Sequence, residues 1–124
     1  MRHAINILVA DSDEGIQALL ADILPLYANA DVVLVKNGQE AMERLTEPGA
    51  RSIDLVITGV AMTPVNGVEL TAEIKKLSPQ TPVIMLSGSP EPKEHSADVF
   101  ISKPFDAHFL FKNIGQLIVE ATRE

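Results

Sequence analysis

Two hydrophobic periods alternate along this chain. Ala4-Ile5-Asn6-Ile7-Leu8-Val9-Ala10 is an apolar, β-branched run of strand length, ended by Asp11-Ser12-Asp13. Ile16, Leu19, Leu20, Ile23, Leu24 and Tyr27 follow at helical spacing, with Asp13 or Ser12 as the natural N-cap. Pro25 falls inside that pattern and predicts a kinked or shortened last turn, because proline lacks the N–H a helix needs. Val32–Val35 predicts a short second strand. Asn37-Gly38 turns it into a helix carrying Ala41, Met42 and Leu45, which Pro48-Gly49 closes. Ile53–Thr58 predicts a third strand, apolar between Asp54 and Thr58, as when both faces of a sheet are covered.

A loop punctuated by Gly and Pro, from Gly59 to Gly67, leads into a third helix marked by Val68, Leu70, Ile74 and Leu77 and ended by Ser78-Pro79. Val83–Leu86 and Val99–Ile101 predict the fourth and fifth strands. Between them, Gly88–Ser96 is polar, contains Pro90 and Pro92, and carries little helix signal. Asp106 caps a final helix with Leu110, Ile114, Leu117, Ile118 and Ala121 on one face. Five strands alternating with helices over short connections mean an α/β fold: a doubly wound parallel sheet with right-handed crossovers. No repeat or linker interrupts it, so residues 1–124 read as one domain.

Composition narrows the chemistry. With no Cys, a disulfide scaffold and any thiolate metal site are excluded. Ten basic and 17 acidic side chains give a net charge of −7, which repels phosphate backbones and argues against direct nucleic-acid binding. Apolar runs such as Ile7–Ala10 are far too short to cross a membrane, and no signal-peptide core follows Met1-Arg2-His3. A cytoplasmic location is expected.

In sheets of this kind, ligands sit beyond the carboxyl ends of the strands. Asp11, Ser12, Asp13, Gly59, Ser87 and Lys103 all stand at such ends and should share one pocket. Asp11 and Asp13 suit either of two tasks: capping a helix N-terminus, or supplying oxygen to a hard cation such as Mg²⁺. Ser87 suits an oxyanion or a turn with Gly88. Gly59 fits a tight turn that only glycine tolerates. No Walker A or G-x-S-x-G motif occurs, and His3, His95 and His108 are scattered, so nothing resembles a nucleophilic or metal triad.

Several segments, in order and over essentially the whole chain, resemble the receiver domain of two-component response regulators. They are Ile7-Leu8-Val9-Ala10-Asp11-Ser12-Asp13-Glu14, Asn37-Gly38-Gln39-Glu40-Ala41, Asp54-Leu55-Val56-Ile57-Thr58, Asn66-Gly67-Val68-Glu69-Leu70, Pro82-Val83-Ile84-Met85-Leu86-Ser87 and Lys103-Pro104-Phe105. The resemblance implies a five-stranded, flavodoxin-like sheet and a signalling module rather than an enzyme. It also implies phosphoryl transfer from a histidine kinase onto an Asp after the third strand, beside Mg²⁺ held by neighbouring acids. Carried over residue by residue, the accepting position falls on Gly59, which has no nucleophile, so no catalytic residue is assigned. The second acid of the metal pair falls on Ser12, and the carbonyl ligand on Ala61. Asp11 and Ala61 remain, with Asp13 as a substitute, so Mg²⁺ would bind weakly or not at all.

Ser87 and Phe100 match the family's switch positions, and Lys103-Pro104 its cis peptide bond. Thr63-Pro64 departs from the usual Met-Pro order. Gly88–Ser96 is shorter than the family's counterpart, so the fourth helix should be reduced to a turn and partner contacts there should differ. Asp11, Asp13 and Lys103 are close to balanced in charge, which predicts a bridge from Lys103 to Asp11. Phe105 and Phe109 read as core or staple residues and Phe111 as lying on another face, where an exposed Phe would mark a partner surface. The leading expectation is a receiver-like domain that works without phosphorylation through protein contacts. Its partners would be a histidine kinase, a phosphotransfer protein or a fused output domain. The alternative is residual phosphoryl acceptance on Asp11 or Asp13 with Mg²⁺.

Overall fold

The computed structural model of the chain describes residues 4–122, with the side chains of Tyr27 and of residues 120–122 outside that description. The readings placed above on His3, Tyr27 and Ala121 therefore lie outside the described residues. Five strands form one parallel sheet: β1 (Ile5–Ala10), β2 (Ala30–Val35), β3 (Leu55–Thr58), β4 (Val83–Ser87) and β5 (Val99–Ser102). Four helices connect and close it: α1 (Glu14–Ala28), α2 (Gly38–Leu45), α3 (Gly67–Leu77) and α4 (Ala107–Thr122). The strand order β2-β1-β3-β4-β5 is the flavodoxin-like doubly wound order, which reverses direction between β1 and β3. Among the described residues, no helix is long and apolar enough to cross a membrane.

The alternation of side chains along each strand divides the core in two. Ile7, Val9, Ile57, Ile84 and Leu86 face Leu20 and Leu24 of α1 and Leu110 and Ile114 of α4. Leu8, Ala10, Val56 and Val83 face Ala41 of α2 and Leu70 and Ile74 of α3. Strands β1, β3 and β4 are almost wholly buried, which explains their unbroken apolar runs.

Helix starts are set by side-chain caps. Asp13 caps α1, Asn37 caps α2, and Asn66 caps α3 through a reciprocal capping box with Glu69, both bonds being 2.9 Å. Asn66→Ala removes an acceptor for the α3 N-terminus and should lower stability by about 1 kcal/mol in urea unfolding. A value near zero would mean that solvent serves that helix end equally well.

Several sequence expectations need correction. Strand β2 begins at Ala30 rather than Val32, because Asn29 ends α1 in a left-handed conformation (φ 50°) and Ala30 already pairs with Ile5. Pro25 neither shortens nor ends α1, which runs on to Ala28; Pro25 is exposed, while the fully buried Leu24 anchors that turn. The shortened fourth helix is no helix at all. Gly88–Asp98 is irregular backbone with scattered bends, since Pro90 and Pro92 cannot donate to a helical ladder. Side chains secure it instead: Ser89 N–H donates to Ser87 Oγ at 3.0 Å, and Asp98 accepts from Val83 N–H and Lys75 Nζ, both at 2.8 Å. Phe109 is 49% exposed, whereas Phe105 and Phe111 pack on the α1–α4 core. With Leu110 and Ile114 turned inward, the first turn of α4 directs Phe109 to solvent.

Candidate functional site

The ladders continue one residue past the strands and gather the site. Gly59 N–H donates to Ala10 C=O at 2.8 Å, Asp11 N–H to Val35 C=O at 3.2 Å, and Lys103 N–H to Ser87 C=O at 2.8 Å. Asp11, Gly59, Ser87 and Lys103 therefore stand in one row at the carboxyl edge of the sheet, with Asp11 and Gly59 beside the reversal point.

Asp11 is the centre of this edge and is 5% exposed. Lys103 Nζ donates to its Oδ2 at 3.2 Å, and the Asp13 N–H donates to its Oδ1 at 2.9 Å. A carboxylate this buried must be paired and hydrogen-bonded, and here it is both. Gln17 fixes the backbone beneath: its amide donates to Asp11 C=O at 2.9 Å and to Val35 C=O at 2.7 Å, tying the ends of β1 and β2. Sequence reasoning missed Gln17. The available signal was a polar residue one turn before Leu20 and two before Leu24, on the buried row of α1.

The other candidates hold different positions. Asp13 is exposed and its Oδ1 accepts from Gly15 N–H at 2.9 Å and Ile16 N–H at 3.3 Å, so it serves as the cap. Ser12 Oγ donates to Ala61 C=O at 3.2 Å. Ser87 is 6% exposed, and its hydroxyl accepts from Ser89 N–H. Phe100 is half-buried on β5 with the His95 ring 6.3 Å away. The Lys103–Pro104 bond is cis, and so is Thr63–Pro64. Val65, just beyond, holds a left-handed φ of 65°, unusual for a β-branched residue, and its carbonyl accepts from Gly38 N–H at 3.1 Å.

The space above the Gly59 α-carbon is bordered by the Asp11 side chain. A β-carbon there would lie 2.9 Å from Asp11 Oδ2 and 3.1 Å from its Cγ. From the other side, Gly67 at the start of α3 leaves room for the Gly59 carbonyl, which a β-carbon on Gly67 would overlap. Thr58 Oγ1 donates to that same carbonyl at 2.8 Å from a fully buried position. An open cleft of about 480 Å³ borders this edge, lined by Ser12, Val60, Ala61, Met62, Thr63 and Asn66.

Mg²⁺ demands a near-octahedral set of oxygens. Asp11 has one oxygen on Lys103 and the other on a backbone N–H. Asp13 is engaged as a cap, and the Ala61 carbonyl accepts from Ser12. Among the described residues, no group of three or more acids or histidines is placed to hold a metal ion.

This topology and this strand-end constellation define a class, the receiver module of two-component signalling. The family model for the response regulator receiver domain matches residues 7–115, and the chain belongs to that family. It is 33% identical over 121 residues to the DNA-binding transcriptional regulator NtrC of a Bradyrhizobium species, covering 93% of this chain and 24% of that protein. It is 34% identical to a CpxR homolog of Haemophilus influenzae, a transcriptional regulatory protein, covering 91% of this chain and 50% of that one. The chain thus spans half or less of the length of these relatives. Among solved structures, the signal receiver domain of a histidine kinase from Syntrophus aciditrophicus superposes with a TM-score of 0.87 at 27% identity. That match covers 98% of this chain and 95% of the other.

Proposed function

We propose that this receiver domain works without phosphorylation, with Gly59 standing where the family carries its accepting Asp, and that it signals through protein–protein contacts. One observation carries the reading: the space above Gly59 belongs to the Asp11 carboxylate, which is already neutralised by Lys103. The acid and the base of the pocket are spent on each other. Neither a nucleophile nor a cation is needed to balance the charge. Mg²⁺ would accordingly bind weakly at most.

The partner class is a histidine kinase, a phosphotransfer protein or an output domain joined to this one. Two surface features suit such contacts. Phe109 stands exposed in the first turn of α4, at the same edge of the sheet as the pocket. The face beside β5 carries the irregular Gly88–Asp98 segment in place of a helix, so a partner reading that face meets a different shape.

Incubation with acetyl phosphate and Mg²⁺, followed by intact mass measurement, should leave the native chain unmodified. A stoichiometric phosphoryl adduct would overturn the proposal. If that adduct vanished in Asp11→Asn or Asp13→Asn, the acceptor would be that carboxylate.

A further inference from the structure

Outside the pocket, His95 is the half-buried polar anchor of the irregular Gly88–Asp98 segment. Its side chain is 11% exposed, and both ring nitrogens are engaged. Ala97 N–H donates to Nδ1 at 3.2 Å, so Nδ1 carries no proton, and Nε2–H donates to Glu91 Oε2 at 2.7 Å. The ring lies 6.3 Å from that of Phe100, tilted by 42°. We propose that His95 is a proton-sensitive pin: protonation of Nδ1 expels the Ala97 amide and reshapes the backbone beside Phe100. This inference does not depend on how Gly59 is read.

Donors and acceptors at Nδ1 decide the outcome. A proton taken from solvent onto Nδ1 sets N–H against N–H, and that pair cannot persist. The same proton turns the Nε2–Glu91 hydrogen bond into an ion pair, which grips the ring more tightly. The ring therefore stays and the backbone yields. Movement is confined to the stretch around Ala97, because Asp98 is held by Val83 N–H and by Lys75. Glu91 is the charged group in contact with the imidazole from its own segment, and β5 presents the uncharged Phe100. Lys93 and Glu94 are exposed, and Lys75 is committed to Asp98 and to the Pro79 and Thr81 carbonyls. Histidine is the side chain suited to change charge between about pH 5 and 8.

NMR of the ring nitrogens in the intact chain tests the proposal. At neutral pH the Nε2–H tautomer is expected. On acidification toward about pH 5, the Ala97 amide and the Phe100 ring should shift with the same midpoint as the His95 ring. Hydrogen-exchange protection of Ala97 should fall about tenfold against the Leu86 and Ile101 amides, as loss of one hydrogen bond implies. In His95→Gln that protection should not vary with pH. An Nδ1–H tautomer at neutral pH would overturn the proposal. So would an Ala97 amide indifferent to ring titration, or the same pH response in His95→Gln.

Discussion

Gly67→Ala should destabilise the domain by at least about 3 kcal/mol, the upper end of overpacking costs. The new methyl group would overlap the Gly59 carbonyl oxygen and approach the Gly59 carbonyl carbon at 2.9 Å and Val60 Cα at 3.0 Å. These are backbone atoms at the end of a buried strand, and they cannot rotate away. The Gly59 carbonyl also accepts from Thr58 Oγ1, while Gly67 N–H donates to Val60 C=O at 2.9 Å. Relief must therefore come from moving the start of α3, which costs Leu70 and Ile74 their places in the core. Urea unfolding measures this loss directly. A loss below about 1 kcal/mol would mean that the β3–α3 junction is far softer than its hydrogen bonds imply.

Lys103→Met should cost roughly 3 kcal/mol, because it strands the Asp11 carboxylate at 5% exposure with only a backbone N–H for company. The lower end of the range for broken buried pairs applies, since the Lys103 side chain is 20% exposed and water reaches that flank. Asp11→Asn should cost less, because the lysine left behind can extend toward solvent whereas the carboxylate cannot. This asymmetry distinguishes a buried acid neutralised by its neighbour from an ordinary surface ion pair, where both substitutions cost under about 1 kcal/mol.

The sheet was legible in the chain because fully buried strands leave unbroken apolar runs and because Asp13, Asn37 and Asn66 announce the helix starts. Grouping Asp11, Gly59, Ser87 and Lys103 followed from the parallel topology alone. What the sequence could not show was contact. The 2.9 Å approach to the space above Gly59, Gln17 bridging two strand ends and the seating of His95 on Phe100 all join residues distant in the chain or depend on side-chain direction. Proline chemistry made Gly88–Asp98 a poor helix, yet its stabilisation by Asp98, Lys75 and His95 is tertiary. Phe109 was misread because aromatic content near a helix start does not say which way the first turn faces.

The pocket reading meets its most direct test in NMR titration with Mg²⁺ and beryllofluoride, which mimics a phosphoryl group. In the native chain the Ser87, Phe100 and Lys103 signals should stay in place. Gly59→Asp should shift them, because it places a carboxylate beside Asp11 at the end of β3. Saturable shifts at those residues in the native chain would contradict the account.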